Sequence, residues 1–168
     1  MLIYLIRHAL ADYTTGVPYH IMPGPGLSET GHEQAAAMAR LLARSGIERV
    51  VSSPMRRCAQ TAEPLCSTLG LDLRLDDDLG EMTTGEKPAE MGQRMLRATL
   101  AQIDVAAVAL VSHAAPIEQL IDTLTYGEAI LPAPGDRGAR IGTAHVWQVL
   151  PHHGRWRAFH LPDGGVQV

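Results

Sequence analysis

The chain has 168 residues, 46% of them apolar, with a formal net charge of −4 and a pI near 6.0. That length suits one domain, 1–168, its apolar share excludes a disordered chain, and its acidic balance supplies no global positive field for nucleic acid. No apolar run approaches the ~20 residues of a membrane helix, and the apolar start is too short for a signal peptide, so a soluble cytoplasmic protein with no membrane partner is expected.

In chain order, "LIYLI" (2–6) is a short apolar run that predicts a buried strand, and it ends directly in Arg7-His8. Residues 13–27, "YTTGVPYHIMPGPGL", are punctuated by Pro and Gly and read as a loop. Ser28 opens a helix, "SETGHEQAAAMARLLARSG", whose apolar face is Ala35, Met38, Ala39, Leu41 and Leu42 and whose stop is Gly46. Residues 49–53 are a second strand. The helix after it is expected to take Ser53 as N-cap and Pro54 as its first residue, with a kink at Pro64. Cys58 and Cys66 lie eight apart on that helix, about 12 Å at ~1.5 Å per residue, beyond the ~7 Å reach of a disulfide; both are expected as core thiols.

"LDLRL" (71–75) alternates like an edge strand, and 76–86 is an acidic loop. Residues 88–104 predict a helix, 105–111 a third buried strand, 114–124 another helix, and 127–142 a Pro/Gly-rich loop. The end, "AHVWQVLPHHGRWRAFHL", reads as a hairpin about "HHG", with Trp147 and Trp156 packed on the sheet. Strands alternating with helices imply an α/β fold. We expect a three-layer sandwich: a mostly parallel mixed sheet, helices on both faces and a C-terminal β-hairpin.

Sites in open α/β sheets form beyond the carboxyl ends of the strands. The first strand ends in Arg7-His8, the second in Ser52-Ser53 with Arg56 and Arg57 close behind, and the third in Ser112-His113. If these strands are parallel neighbours, histidines and arginines meet on one rim. Guanidiniums match phosphate oxygens, helix starts add backbone donors, and a neutral imidazole can attack phosphorus. Taken singly, an Arg-His pair or an Arg-Arg at a helix start is usually surface or packing; their coincidence points to a phosphate site.

"LIRHA", "GLSETGHEQA", "SSPMRRCAQTAE" and "VSHAAPI", in that order, make the chain resemble the histidine phosphatase superfamily, which includes phosphoglycerate mutases. The resemblance implies that His8 is the phosphorylated nucleophile and that Arg7, Arg57 and His113 hold the phosphoryl oxygens. In its Ser-Ser-Pro-x-x-Arg pattern the arginine falls on Arg57, which leaves Arg56 at the surface or outer pocket. "LGEMTTGE" puts the general acid at Glu81, with Glu86 the competing candidate. Thr14, Ser28, Arg56 and Ala114 fall where substrate contacts are expected, although Ser28 serves equally as a helix cap.

The chain departs from the family's pattern at Ala9, at Leu10-Ala11, at Thr14 and around Lys87-Pro88. The resemblance therefore implies a phosphomonoester hydrolase without metal or cofactor, acting on a small-molecule phosphate ester or a phosphoprotein. The stretch from Glu81 to His113 is short for a mutase. Mutase-like transfer, a phosphohistidine-protein phosphatase and an inactive phosphate-binding module are the alternatives. The residues that would choose the leaving group fall in loops 13–27, 82–92 and 126–142. His145, His152, His153 and His160 sit on or beside the hairpin and do not form a metal set, since adjacent turn residues rarely converge on one ion.

Overall fold

A computed structural model of the chain describes residues 1–134 and 139–161. Its strands are β1 (Leu2–Arg7), β2 (Arg49–Ser52), β3 (Leu73–Leu75), β4 (Ala107–Ser112), β5 (Val146–His152) and β6 (Arg155–Leu161). Its helices are α1 (Glu29–Leu41), α2 (Arg56–Leu69), α3 (Pro88–Leu100) and α4 (Ala114–Thr125), with a 3₁₀ turn at Asp77–Leu79. The strands form a sheet in the order β3-β2-β4-β1-β5-β6. β3, β2, β4 and β1 run parallel, and the β5–β6 hairpin joins β1 antiparallel.

Burial explains why these segments are strands. The whole of β4 is buried, as is the middle of β1, because helices cover both faces of the sheet. On one face Tyr4, Ile6, Val50, Ala109 and Val111 pack under α1 and α2 through Met38, Leu42, Ala62 and Leu65. On the other, Ile3, Leu5, Val108 and Leu110 pack under α3 and α4 through Met95, Ile117, Leu120 and Ile121. This is the expected α/β sandwich. β3 is an edge strand, Cys58 and Cys66 are buried free thiols, and Trp147 is buried with Trp156 partly packed on the same layer.

Several boundaries differ from those the sequence predicts. α2 begins at Arg56 with Met55 as N-cap, not at Pro54 behind Ser53. The Ser53 hydroxyl is turned instead toward His113 Nε2, at 3.1 Å. α1 ends with Leu42 as its C-cap, and Gly46 takes its left-handed conformation, φ +72, in the turn that follows. α2 runs on through Pro64. The helix expected over 88–104 ends at Leu100. The hairpin closes through His153 and Gly154, both at positive φ (49 and 79), the backbone a two-residue hairpin turn requires. Of the loop expected at 127–142, residues 135–138 lie outside the described residues.

Candidate active site

Register brings the site together. Arg7 lies opposite Ser112 in the β1–β4 pair, and Ser52 opposite Val111 in the β2–β4 pair. The next residue on each strand, His8, Ser53 and His113, therefore leaves the sheet at the same edge. The His8 amide donates to the Ser112 carbonyl at 2.9 Å, and the Ser53 amide to that of Val111 at 2.9 Å. α2 then sends Arg57 back over this edge. Thr61, one turn on, accepts the Ala9 amide at 2.9 Å and donates to the Arg57 carbonyl at 2.6 Å, tying the His8 turn to the helix.

The His8 ring is buried. Nδ1 lies 2.8 Å from the Ala9 carbonyl, which can only accept, so Nδ1 carries the proton and Nε2 the lone pair. Nε2 lies 3.0 Å from the Tyr19 hydroxyl. Burial pulls the His8 pKa down to about 3; the Ala9 carbonyl opposes this, and the charges of Arg57 and Arg7 reinforce it. At neutral pH the imidazole is uncharged.

The His113 ring meets that of His8 edge-on, with centroids 5.3 Å apart. Its Nδ1 lies 3.2 Å from Arg57 Nη2 and its Nε2 3.1 Å from Ser53 Oγ. Burial holds its pKa well below the ordinary histidine value, and the neighbouring His8, Arg57, Arg94 and Arg7 push it the same way. Glu81 completes the cluster, with Oε2 3.3 Å from His113 Nδ1 and 3.7 Å from Arg57 Nη2. Its side chain is 20% exposed, so it faces the mouth. Arg7 donates through Nη1 to the Ile141 carbonyl and lines the same cleft. The Nε atoms of Arg7 and Arg57 are buried without an acceptor among the described residues. An unmet buried donor costs about 1–3 kcal/mol, which favours an incoming acceptor.

The cleft above these residues has a volume of about 400 Å³ and is lined by Arg7, Tyr19, Glu81, Ala114, Ala115 and Glu118 among others. A larger cleft of about 820 Å³ lies between α1 and the hairpin, around Gln34, Arg40 and His145. It shares no lining residue with the first and holds none of the clustered groups, so size does not mark the chemistry here.

His8, Arg7, Arg57, His113, Glu81 and Ala114 are thus brought together. Arg56 is exposed at the helix start, outside the cleft lining. Thr14 is exposed and donates to Asp12 Oδ1 at 2.6 Å. The Ser28 hydroxyl caps α1, accepting from the Gly31 amide at 3.1 Å and donating to the Leu10 carbonyl at 3.2 Å. Glu86 is turned away and paired with Arg94 at 2.6 Å.

Two contributors escape a reading of the sequence. Tyr19 comes from the Pro/Gly-punctuated loop, where no periodicity points a side chain inward. Arg94 donates to the carbonyls of Asp78, Gly80 and Glu81 at 2.7, 2.8 and 3.0 Å, and so holds the loop that carries Glu81. A helical arginine gives no sequence signal of such a task. Among the described residues no cluster of His, Cys, Asp and Glu could hold a metal ion.

A mixed α/β sandwich with paired histidines and arginines at its strand ends is the frame of a phosphoryl-handling protein. The histidine phosphatase superfamily (branch 1) model matches residues 3–87, and the chain belongs to that superfamily. The "Putative phosphoserine phosphatase 2" of Hydrogenobacter thermophilus is 32% identical over 96 residues, 57% of this chain and 47% of its own length. The glucosyl-3-phosphoglycerate phosphatase of Mycobacterium tuberculosis is 35% identical over 82 residues, 49% of this chain and 37% of its own length. The chain thus spans less than half the length of these curated relatives. The solved structure of the "putative phosphohistidine phosphatase SixA" from Agrobacterium tumefaciens superposes with a TM-score of 0.73 at 26% identity, over 96% of this chain and 97% of that one.

Proposed function

We propose that the chain is a metal-independent phosphomonoester hydrolase working through a phosphohistidine on His8. The observation that supports this most is the convergence of His8, whose Nδ1 faces the Ala9 carbonyl, with Arg57, His113 and Glu81 in one cluster. In the first step the His8 Nε2 lone pair forms a bond to phosphorus as the ester P–O bond breaks. Arg7, Arg57 and His113 hold the equatorial oxygens, and the α4 N-terminus at Ala114 and Ala115 adds its dipole. Glu81 gives its proton to the leaving oxygen. In the second step Glu81 takes a proton from water, the water oxygen bonds to phosphorus, and the N–P bond breaks.

The substrate is a small phosphate ester or a phosphoprotein, and residues 1–168 act as a single domain. The similarity to SixA favours a phosphohistidine protein as a second reading of the substrate. The test is p-nitrophenyl phosphate hydrolysis in the presence of EDTA, extended to a panel of sugar phosphates, phosphoglycerates and a phosphohistidine protein. Turnover that resists EDTA and disappears in His8→Ala is expected. Turnover that survives in His8→Ala contradicts the reading, and a phosphoryl group found at a new position on the substrate points to a mutase.

A further inference from the structure

Arg7 and Glu81 line the cleft, but the three other groups of the cluster are sealed beneath it. His8 is 1% exposed, and Arg57 and His113 are 0% exposed, so an oxyanion cannot reach them until something moves. Tyr19 is the side chain that covers both His8 and Arg57. Its hydroxyl stands 3.0 Å from His8 Nε2, and its ring lies over the Arg57 guanidinium, whose Cζ is 3.8 Å from the ring centroid. Its carbonyl accepts from Arg57 Nη1 at 3.1 Å. In-line transfer brings phosphorus along the Nε2 lone pair, and that is where the phenol oxygen stands.

Tyr19 belongs to a loop with a closed neck. The Asp12 amide donates to the Gly26 carbonyl at 2.9 Å, the Ser28 amide to that of Leu10 at 2.9 Å, and Ala11 bridges Leu27. Beyond the neck, residues 13–18 and 20–23 are exposed, and Tyr19 alone is half-buried. Gly16 (φ +69) and Gly24 (φ +70) lie on either side of Tyr19 at positive φ. A segment with so few buried apolar contacts opens at low cost.

We propose that loop 13–23 is a strap whose Tyr19 occupies the phosphoryl seat of the free protein and is displaced by the incoming phosphate. The inference rests on the phosphate site proposed above. Displacement uncovers Arg57 and frees Nε2 in one movement. It also lowers apparent affinity by the fraction of molecules in which the strap is open.

The test is calorimetric titration with inorganic phosphate of the wild-type protein and of Tyr19→Phe, which keeps the ring and removes the hydroxyl. Loss of one competing hydrogen bond should tighten phosphate binding about 2- to 12-fold. Hydrogen exchange of amides 15–22 should quicken when the wild-type protein is saturated with phosphate. Equal or weaker binding by Tyr19→Phe, or exchange that stays the same or slows, overturns the strap and leaves the phosphate site standing. No phosphate binding by either protein overturns the proposed function and the strap with it.

Discussion

His8 and Glu81 sit in one cluster and face opposite demands. As the proposed nucleophile, His8 must keep a lone pair, and its burial beside Arg57 and Arg7 secures that down to a pKa of about 3. The acid limb of kcat/KM should therefore not fall near pH 6.5, the ordinary histidine value; a limb there that disappears in a His8 variant would contradict the assignment. Glu81, as the proposed general acid, must deliver a proton. Glu81→Gln should lower kcat about 10²- to 10⁴-fold on an alkyl phosphate and less on p-nitrophenyl phosphate, whose leaving group needs little protonation. Equal losses on both substrates would place the acid elsewhere. Arg7, His8, Arg57 and His113 are legible in the sequence because each lies within a few residues of a strand end. Tyr19 is not, because a loop position has no periodicity to read.

At the scale of elements, the site depends on how loops are pinned to helices. Arg94 holds the Glu81 loop through three carbonyls and the Glu86 carboxylate, and that pairing holds the Glu86 pKa below its ordinary value. Arg94→Leu should lower kcat by releasing Glu81, with the greater loss again on the alkyl phosphate; an unchanged kcat would show that the loop holds itself. Gly31 explains the second glycine of "GLSETGHEQA". A Cβ there would lie 2.1 Å from the Leu10 carbonyl oxygen and 3.1 Å from Leu27 Cβ, so the first turn of α1 can approach the chain leaving β1 only without a side chain. Overpacking of this kind costs about 1–3 kcal/mol, and Gly31→Ala should lower Tm by several degrees in a thermal melt. The start of α2 is hidden from the sequence because Ser53 has two tasks open to it, capping and reaching His113, and only tertiary contact decides between them.

Across the whole molecule, the two cores and the layering of helices on the sheet follow from strand and helix patterns visible in the chain. What the patterns do not give is the closed state of the site, which depends on contacts between residues far apart in sequence. Burying two uncharged histidines also shapes stability. The folded His8 and His113 refuse protons that the unfolded chain takes up below about pH 6.5, so stability is intact above that pH and falls as pH drops toward the folded value, by up to about 1.4 kcal/mol per pH unit for each. Urea melts between pH 7 and pH 5 should show this slope, and His8→Asn should reduce it to the share of His113.

Every proposed step passes through one covalent bond, between phosphorus and Nε2 of the histidine that ends the first strand. Rapid quenching of turnover with radiolabelled phosphate ester, followed by peptide mapping, should find an acid-labile, alkali-stable label on the peptide that contains His8 and none in His8→Asn. Label on another residue, or turnover with no labelled protein at any time, would contradict it.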